Sequence, residues 1–363
     1  MMDWTIWSLT GLLVILTVVP ISRISHGFVR VMSFPRQQVI VLAVALFLVT
    51  PFVLDGRAMW ITLAILVTIV AFQGFYIARF LPFMRRQTLD ADSDLAVDIS
   101  RQVSIMASNV KLSNRQYDRL IDLVERVDPD ILMVVEIDDR WLEALAPLRE
   151  RYAHVEARPL DNGYGMAMFS KHPLLEVEWR EVLVEKVPSL KVRIELNGDP
   201  VRLYMIHPEP PVPNHSTDGR DAEIGLVGIE ACEDPLPAIV AGDLNDVAWS
   251  HTTRRFQRLS GLLDPRVGRG FFNTFHAGVP IWRWPLDHLF HDPRFRLVEM
   301  RRLDSIGSDH FPVLFRLALT PVEGKGEEIE EARQEDREEI DEMAENERKQ
   351  NREAIGSHWE DEG

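Results

Sequence analysis

The residues able to do chemistry recur at the ends of apolar runs. The run 103–108 leads into Asn109, 131–135 into Glu136, 201–206 into His207, and 238–241 through Gly242 into Asp243 and Asn245. Apolar runs of this length read as buried strands, which fix their backbone and present the next residue to a crevice at the strand ends, where ligands sit in open α/β sheets. One such end is ordinary. Four of them, bearing Asn, Glu, His and Asp-x-Asn, read as a site. The carboxylate and amide oxygens suit a hard cation such as Mg²⁺ or Mn²⁺. In an extended Asp-x-Asn, alternate side chains share a face, so Asp243 and Asn245 are expected to point together.

The elements that must position these residues lie between 100 and 320. Short apolar runs at 103–108, 131–135, 165–169, 174–184, 190–196, 201–206, 238–241, 273–276, 287–291, 295–301 and 312–319 read as strands. Stretches 114–127, 141–148, 218–230 and 250–259 read as helices. Consecutive strands mixed with βα units predict α/β layers around paired sheets.

Seven motifs, in order, carry a resemblance. They are Ala107-Ser108-Asn109-Val110, Val135-Glu136-Ile137, Met168-Phe169-Ser170-Lys171-His172-Pro173-Leu174, Ile206-His207-Pro208, Gly242-Asp243-Leu244-Asn245-Asp246, Leu286-Asp287-His288-Leu289-Phe290 and Ser308-Asp309-His310-Phe311-Pro312. In this set the chain resembles the endonuclease/exonuclease/phosphatase superfamily, and most of all its bacterial membrane-anchored members. The resemblance covers about residues 100–320 and implies a four-layer α/β/β/α sandwich that hydrolyses phosphoesters with Mg²⁺, or Mn²⁺. It implies Glu136 as principal metal ligand, with Asn109 beside it and Asp309 facing the metal directly or through water. Asp243 would orient or deprotonate the attacking water, and Asn245 would hold phosphate. His310 would contact phosphate or transfer a proton, with Asp287 holding its imidazole, and His207 would be a second histidine at the phosphate. Arg220 and Arg283 are further candidates for phosphate contact.

The rest of the chain divides by composition. Residues 1–84 are mostly apolar, with runs at 4–21, 39–54 and 58–81. A span needs roughly 20 apolar residues, so three transmembrane helices are expected, or two and an interfacial segment. No Lys or Arg precedes Arg23 and no small-x-small site follows the first run, which argues against a cleaved signal peptide. Arg23, Arg30 and Arg36 in the first loop, with Arg79, Arg85 and Arg86 after the third run, place the catalytic domain in the cytoplasm by the positive-inside rule, at a bacterial inner membrane. Residues 85–99 read as a linker. Residues 321–363 form an acidic tail of 17 acidic and 6 basic residues, expected to be solvated and partly helical or disordered, and its pattern names no partner. The lone Cys232 excludes an internal disulfide and a Cys-rich zinc site.

Substrate is less determined. Residues 85–320 carry a net charge of −8, with no basic stripe, which disfavours avid binding to long duplex DNA. A nuclease-like phosphodiesterase is the leading expectation, with a phospholipid, sphingolipid or inositol-phosphate headgroup as alternative. A catalytically inactive membrane scaffold is the alternative of another class; the filling of every motif position argues against it.

Overall fold

Apolar runs in the middle of the chain become strands buried on both faces. The structure, a computed structural model, describes residues 2–320, 330–350 and 352–357. In β1 (Gln102–Asn109) and β2 (Ile131–Val135) every residue is buried. Among the described residues these strands join β3 (His154–Arg158), β4 (Met166–Ser170), β10 (Phe295–Arg302) and β11 (Val313–Leu319) in a sheet ordered β10-β11-β1-β2-β4-β3. A second sheet is ordered β5-β6-β7-β8-β9, from β5 (Leu175–Arg180), β6 (Ser189–Leu196), β7 (Asp199–Met205), β8 (Ala238–Asp243) and β9 (Asp287–His291). The sheets face each other across one core that includes Ile105, Met133 and Met168 from the first and Val192, Leu203 and Ala241 from the second. Each of these side chains larger than alanine contributes about 1.5–3 kcal/mol on burial.

Helices cover both outer faces. On the first sheet lie α6 (Tyr117–Val127) and α7 (Asp139–Ala144), through Leu120, Val124 and Trp141. On the second lie α8 (Asp218–Glu233) and α9 (His251–Ser260), through Ile224, Val227 and Phe256. The Ser250 side chain caps α9 by accepting from the Thr253 N–H, and Gly261 ends it at φ +69°. The result is the expected four-layer sandwich. Each sheet has one parallel pair at its centre, β1 with β2 and β7 with β8. Their carboxyl ends meet at one edge of the sandwich.

Two strand expectations change. β3, not foreseen, is a half-buried edge strand (His-Val-Glu-Ala-Arg) whose alternation rests on two small apolar residues, Val155 and Ala157. Residues 273–276 form no strand; Phe275 makes isolated bridges to Trp284 and His310.

Before the sandwich come α1 (Met2–Val18), α2 (Gly27–Val31), α3 (Arg36–Val49), α4 (Gly56–Ile77) and the short α5 (Ser93–Val97). α1, α3 and α4 pack around Leu13, Ala43 and Leu66. Inside the bundle Arg36 Nη1 donates to Gln73 Oε1 at 2.6 Å and Gln73 Nε2 to Thr17 Oγ1 at 3.0 Å. Two helical stretches, Asp3–Ile21 and Gly56–Phe80, are long and apolar enough to cross a membrane, and the stretch Arg36–Phe52 is shorter.

Among the described residues, both remaining segments contact the sandwich. In 85–99, read as a linker, the Thr88 hydroxyl bonds His291 Nε2 at 2.9 Å and Gln87 Oε1 accepts from the Asp264 N–H at 2.8 Å. The acidic tail, read as solvated, contains α10 (Gln334–Arg348) docked on α8, with Ile340, Met343 and Ala344 buried. Ile340 fits against Gly225, where an added Cβ would lie 2.1 Å from its Cδ1. Arg258 with Asp336 and Arg255 with Glu339 frame the contact. Of the tail's apolar residues, Ile329 lies outside the described residues. Replacing Ile340 by aspartate buries an unpaired charge and is expected to release α10, making tryptic cleavage at Arg337 and Arg348 at least about tenfold faster. Unchanged cleavage would show that the ion pairs hold the helix without the apolar contact.

Candidate active site

The edge where the parallel pairs end gathers the sequence-derived residues. Gly242 (φ +149°) lets β8 approach the neighbouring chain, since a Cβ there would meet the Ile206 carbonyl oxygen at 1.9 Å. Glu136 follows β2 in a left-handed conformation at φ +63°, costly for a non-glycine residue. Gly165 allows the close approach beside it, since a Cβ there would lie 1.9 Å from the Ile137 carbonyl oxygen. Asp243 and Asn245 do not lie along an extended strand as expected. Asn245 has φ +51° and its N–H donates to Asp243 Oδ1 at 2.9 Å, closing a tight turn.

The ends of the two parallel pairs are joined by one amide. Asn109 Nδ2 donates to Glu136 Oε1 at 2.6 Å and to Asp243 Oδ2 at 3.0 Å. The Leu112 N–H donates to Glu136 Oε2 at 3.2 Å. His310 lies between two carboxylates, with Nδ1 2.8 Å from Asp287 Oδ2 and Nε2 3.5 Å from Asp243 Oδ2. The Ser308 hydroxyl fixes that loop by donating to the Asn109 carbonyl at 2.8 Å and accepting from the His310 N–H at 3.0 Å. Lys111 Nζ is 3.2 Å from Asp309 Oδ2. His207 is buried, and its Nδ1 has no hydrogen-bond partner among the described residues.

These surroundings set the protonation states. Burial pushes the Glu136 carboxyl up to about 7, against the hydrogen bond from Asn109 that favours its charged form. Burial also raises Asp243. Burial holds His207 down at about 4, so it is neutral at pH 7. Burial would lower His310 as well, but Asp287 and Asp243 outweigh it and push it up to about 10. At neutral pH this site therefore pairs an imidazolium with carboxylates, one of them poised to change charge.

A cavity of about 360 Å³ opens over this edge, lined by Lys111, Glu136, His207, Asn245, Asp309 and His310 among others. Asn109, Asp243 and Asp287 are buried and hold the lining groups through the contacts above. Arg220 and Arg283 are not part of it. Arg220 is 1% exposed, pairs with Asp221 at 2.6 Å and donates to the Asn245 carbonyl at 3.0 Å. Arg283 donates to the carbonyls of His276 and Ala277 and lies over Phe311. Neither guanidinium faces the cavity, so both phosphate-contact expectations are corrected. The cavity has linings that went unforeseen: Lys111, two residues past Asn109 and so within reach of that motif; Tyr164; and Val31, Phe34, Ile355, Gly356 and Ser357, which carry no chemical signature in the sequence.

The donor chemistry fits a divalent cation. Asp243, Asp287 and His310 offer three ligand atoms within 4.8 Å of one another. Both nitrogens of that histidine are engaged by the flanking carboxylates, however. Glu136, Asn109 and Asp309 offer ligand oxygens that now accept from the Asn109 amide, the Leu112 and Lys111 N–H groups and the Lys111 ammonium, and Asp309 and Asp243 each raise the Glu136 carboxyl further. A cation relieves such like-charge crowding.

The family model described as the Endonuclease/Exonuclease/phosphatase family matches residues 106–310. No curated protein matches the chain. Among solved structures, the fold is similar to D. rerio TDP2 complexed with a single strand DNA product (19% identity, TM-score 0.52, 60% of this chain and 98% of that one). It is similar to a humanized D. rerio TDP2 (17%, TM-score 0.51, 60% and 99%) and to the human Nocturnin catalytic domain with bound sulfate (14%, TM-score 0.49, 66% and 100%). At identities this low, the two TDP2 structures speak for the fold. The family model, which takes in more than half of the chain, speaks for descent: the chain belongs to the Endonuclease/Exonuclease/phosphatase family, whose members are metal-dependent phosphoester hydrolases.

Proposed function

We propose that the chain is a membrane-anchored, Mg²⁺-dependent phosphodiesterase of nuclease-like chemistry. The observation that carries the reading is His310, charged between Asp287 and Asp243 beside the Glu136–Asn109 pair, with His310 and Glu136 lining one cavity. Glu136, Asn109 and Asp309 would hold the Mg²⁺ (Mn²⁺ would serve), which when bound neutralises charge on the phosphate and leaving-group oxygens. Asp243 takes the proton of the attacking water; burial makes it a stronger base than an exposed carboxylate. His310, its Nδ1 fixed by Asp287, would turn its Nε2–H from Asp243, 3.5 Å away, to the phosphate and deliver that proton to the leaving-group oxygen. Neutral His207 and the Asn245 amide, both lining the cavity, supply hydrogen bonds to phosphate oxygens.

Anchoring is supported by the apolar outer faces of α1, α3 and α4, where Trp4, Leu48, Trp60 and Phe75 are exposed. The turn between α1 and α3 and the end of α4 both touch the sandwich: the Gly27 N–H donates to the His215 carbonyl and Phe80 packs on Trp249. Both arginine-bearing loops thus lie on the sandwich's side, as three crossings require, and the positive-inside rule favours the cytoplasm. A lipid headgroup as substrate is favoured by one observation: Val31 and Phe34 of that turn line the cavity.

The test is the full chain in detergent with Mg²⁺, offered bis(p-nitrophenyl) phosphate, single-stranded and duplex DNA, RNA, sphingomyelin and phosphoinositides. Chelation is expected to abolish turnover and Mn²⁺ to restore it. Glu136→Gln is expected to lower kcat/KM at least about 100-fold and to raise the Mg²⁺ concentration needed. Activity that survives chelation and Glu136→Gln unchanged overturns the reading.

A further inference from the structure

The cavity is closed in by two segments that lie outside the matched residues 106–310. One is the turn carrying Val31 and Phe34, the other the strap Ile355–Ser357. Both grip the same loop, the one that follows His207. On the turn, the Thr217 N–H donates to the Ser25 carbonyl at 3.0 Å, and Gly27 lies so close that a Cβ would meet the Val212 carbonyl oxygen at 1.8 Å. On the strap, Arg352 donates through both Nη1 and Nη2 to the two oxygens of Glu209, each at 2.7 Å. The Ile355 N–H donates to Glu209 Oε1 at 2.6 Å, and the Tyr164 hydroxyl donates to the Ile355 carbonyl. Glu209 is 2% exposed, so this bidentate pair is sheltered from water, where such geometry is strongest.

These are built contacts, and their effect is on access. A groove that cuts along a polymer must let the chain enter and leave on either side of the reacting phosphate. Here Phe34 and Val31 stand at the cavity together with Pro210 and Pro211, and Ile355–Ser357 stand there with Tyr164. A volume of about 360 Å³ is at the small end of the range of small-molecule sites. We infer that the turn 31–34 and the strap 355–357 are specificity-determining walls that admit a phosphoester only at the tip of its molecule. That tip is a nucleic-acid terminus or a headgroup, and a continuous strand is excluded. The inference rests on the hydrolase reading above and narrows its substrate.

The experiment compares rates on four substrates: bis(p-nitrophenyl) phosphate, a linear single-stranded oligonucleotide, the same oligonucleotide ligated into a circle, and sphingomyelin vesicles. The native full chain is expected to act on the small diester and on one of the two tip-bearing substrates, with the circle at least about 100-fold slower. Which of the two is turned over tells nucleic-acid end from headgroup. Two variants open the walls separately. One is Phe34→Ala. The other is a chain ending at Gln350 that also carries Glu209→Gln and Glu347→Gln, so that losing Arg352 leaves neither of its two buried carboxylates unpaired. Each is expected to raise cleavage of the circle at least about tenfold while the small diester changes less than about threefold. A native chain that cuts the circle as fast as the linear strand overturns the inference, and so does an unchanged ratio in both variants while the small diester is still hydrolysed. A native chain inert toward every phosphoester overturns the hydrolase reading, and this inference with it.

Discussion

Exchanging His310 for glutamine is expected to lower kcat by about 10²–10⁴-fold with KM changed little. Glutamine keeps a donor near the Nε2 position, so phosphate contact alone would largely survive. What it cannot do is carry the proton and positive charge that Asp287 and Asp243 hold on the imidazole up to about pH 10. The native enzyme should therefore lose activity as pH rises through about 10, and the variant should lack that limb. The same proton is linked to stability. A folded pKa raised above 6.5 stabilises the fold fully below pH 6.5 and is lost as pH rises through about 10. The variant should be less stable than the native chain below pH 6.5, and the gap should close toward pH 10. Stopped-flow kinetics and melting curves over pH 6–10.5 check both parts. A kcat within about tenfold of native would remove His310 from proton transfer and leave it a phosphate contact.

The parts of the site legible in the sequence were those set by strand ends. A buried strand needs a continuous apolar run, so Asn109, Glu136, His207 and Asp243 were marked by where their runs stopped. Their meeting at one edge follows from each sheet pairing two of these strands in parallel, β1 with β2 and β7 with β8. The Asp243–Asn245 step was misread because alternation assumes extended backbone. Asn245 instead turns into the left-handed region, which Asn tolerates better than most residues. β3 escaped because its one-sided pattern is carried by only two small apolar residues, Val155 and Ala157. The cavity walls escaped for another reason. Val31, Phe34 and Ile355 are ordinary apolar residues whose role comes only from long-range docking. α10 docks through Ile340, Met343 and Ala344, a stripe too short to stand out among its acids.

Arg30 and Arg220 show the same limit, and they lead to a large expected effect. The sequence offers Arg30 as a topology-setting charge and Arg220 as a phosphate contact. In the fold one carboxylate claims both. Asp221 Oδ2 accepts from Arg30 Nε at 3.0 Å and from the Thr217 hydroxyl at 3.1 Å, while Oδ1 accepts from Arg220 Nε at 2.9 Å. Asp221 is fully buried, and although burial opposes its charge, Arg220 and Arg30 hold its carboxyl well below the usual range. Asp221→Asn keeps the shape and removes the charge, leaving two buried guanidinium groups with Asp246, 3.7 Å from Arg220, as the nearest acid. Breaking one partner out of a buried ion pair costs about 3–5 kcal/mol. Urea unfolding of the full chain in detergent at pH 7 should show a loss of that size. Because the folded pKa is depressed, the native contribution is complete above the unfolded value near 3.8 and fades as pH falls below it. The gap between native and variant should therefore shrink in acid. Arg30→Met should cost less, since it leaves Asp221 paired with Arg220, and combined with Asp221→Asn it should cost less than the two separate losses added. Arg220 also holds the Asn245 carbonyl, so Asp221→Asn should slow catalysis as well as loosen the fold, whereas Arg30→Met should mainly loosen it. A loss below about 1 kcal/mol for Asp221→Asn would mean that water or Asp246 replaces the missing charge. The helices before the sandwich would then be joined to it by the apolar contacts of Phe34, Ile77 and Phe80 and by hydrogen bonds such as Trp249 Nε1–H to the Ser33 carbonyl.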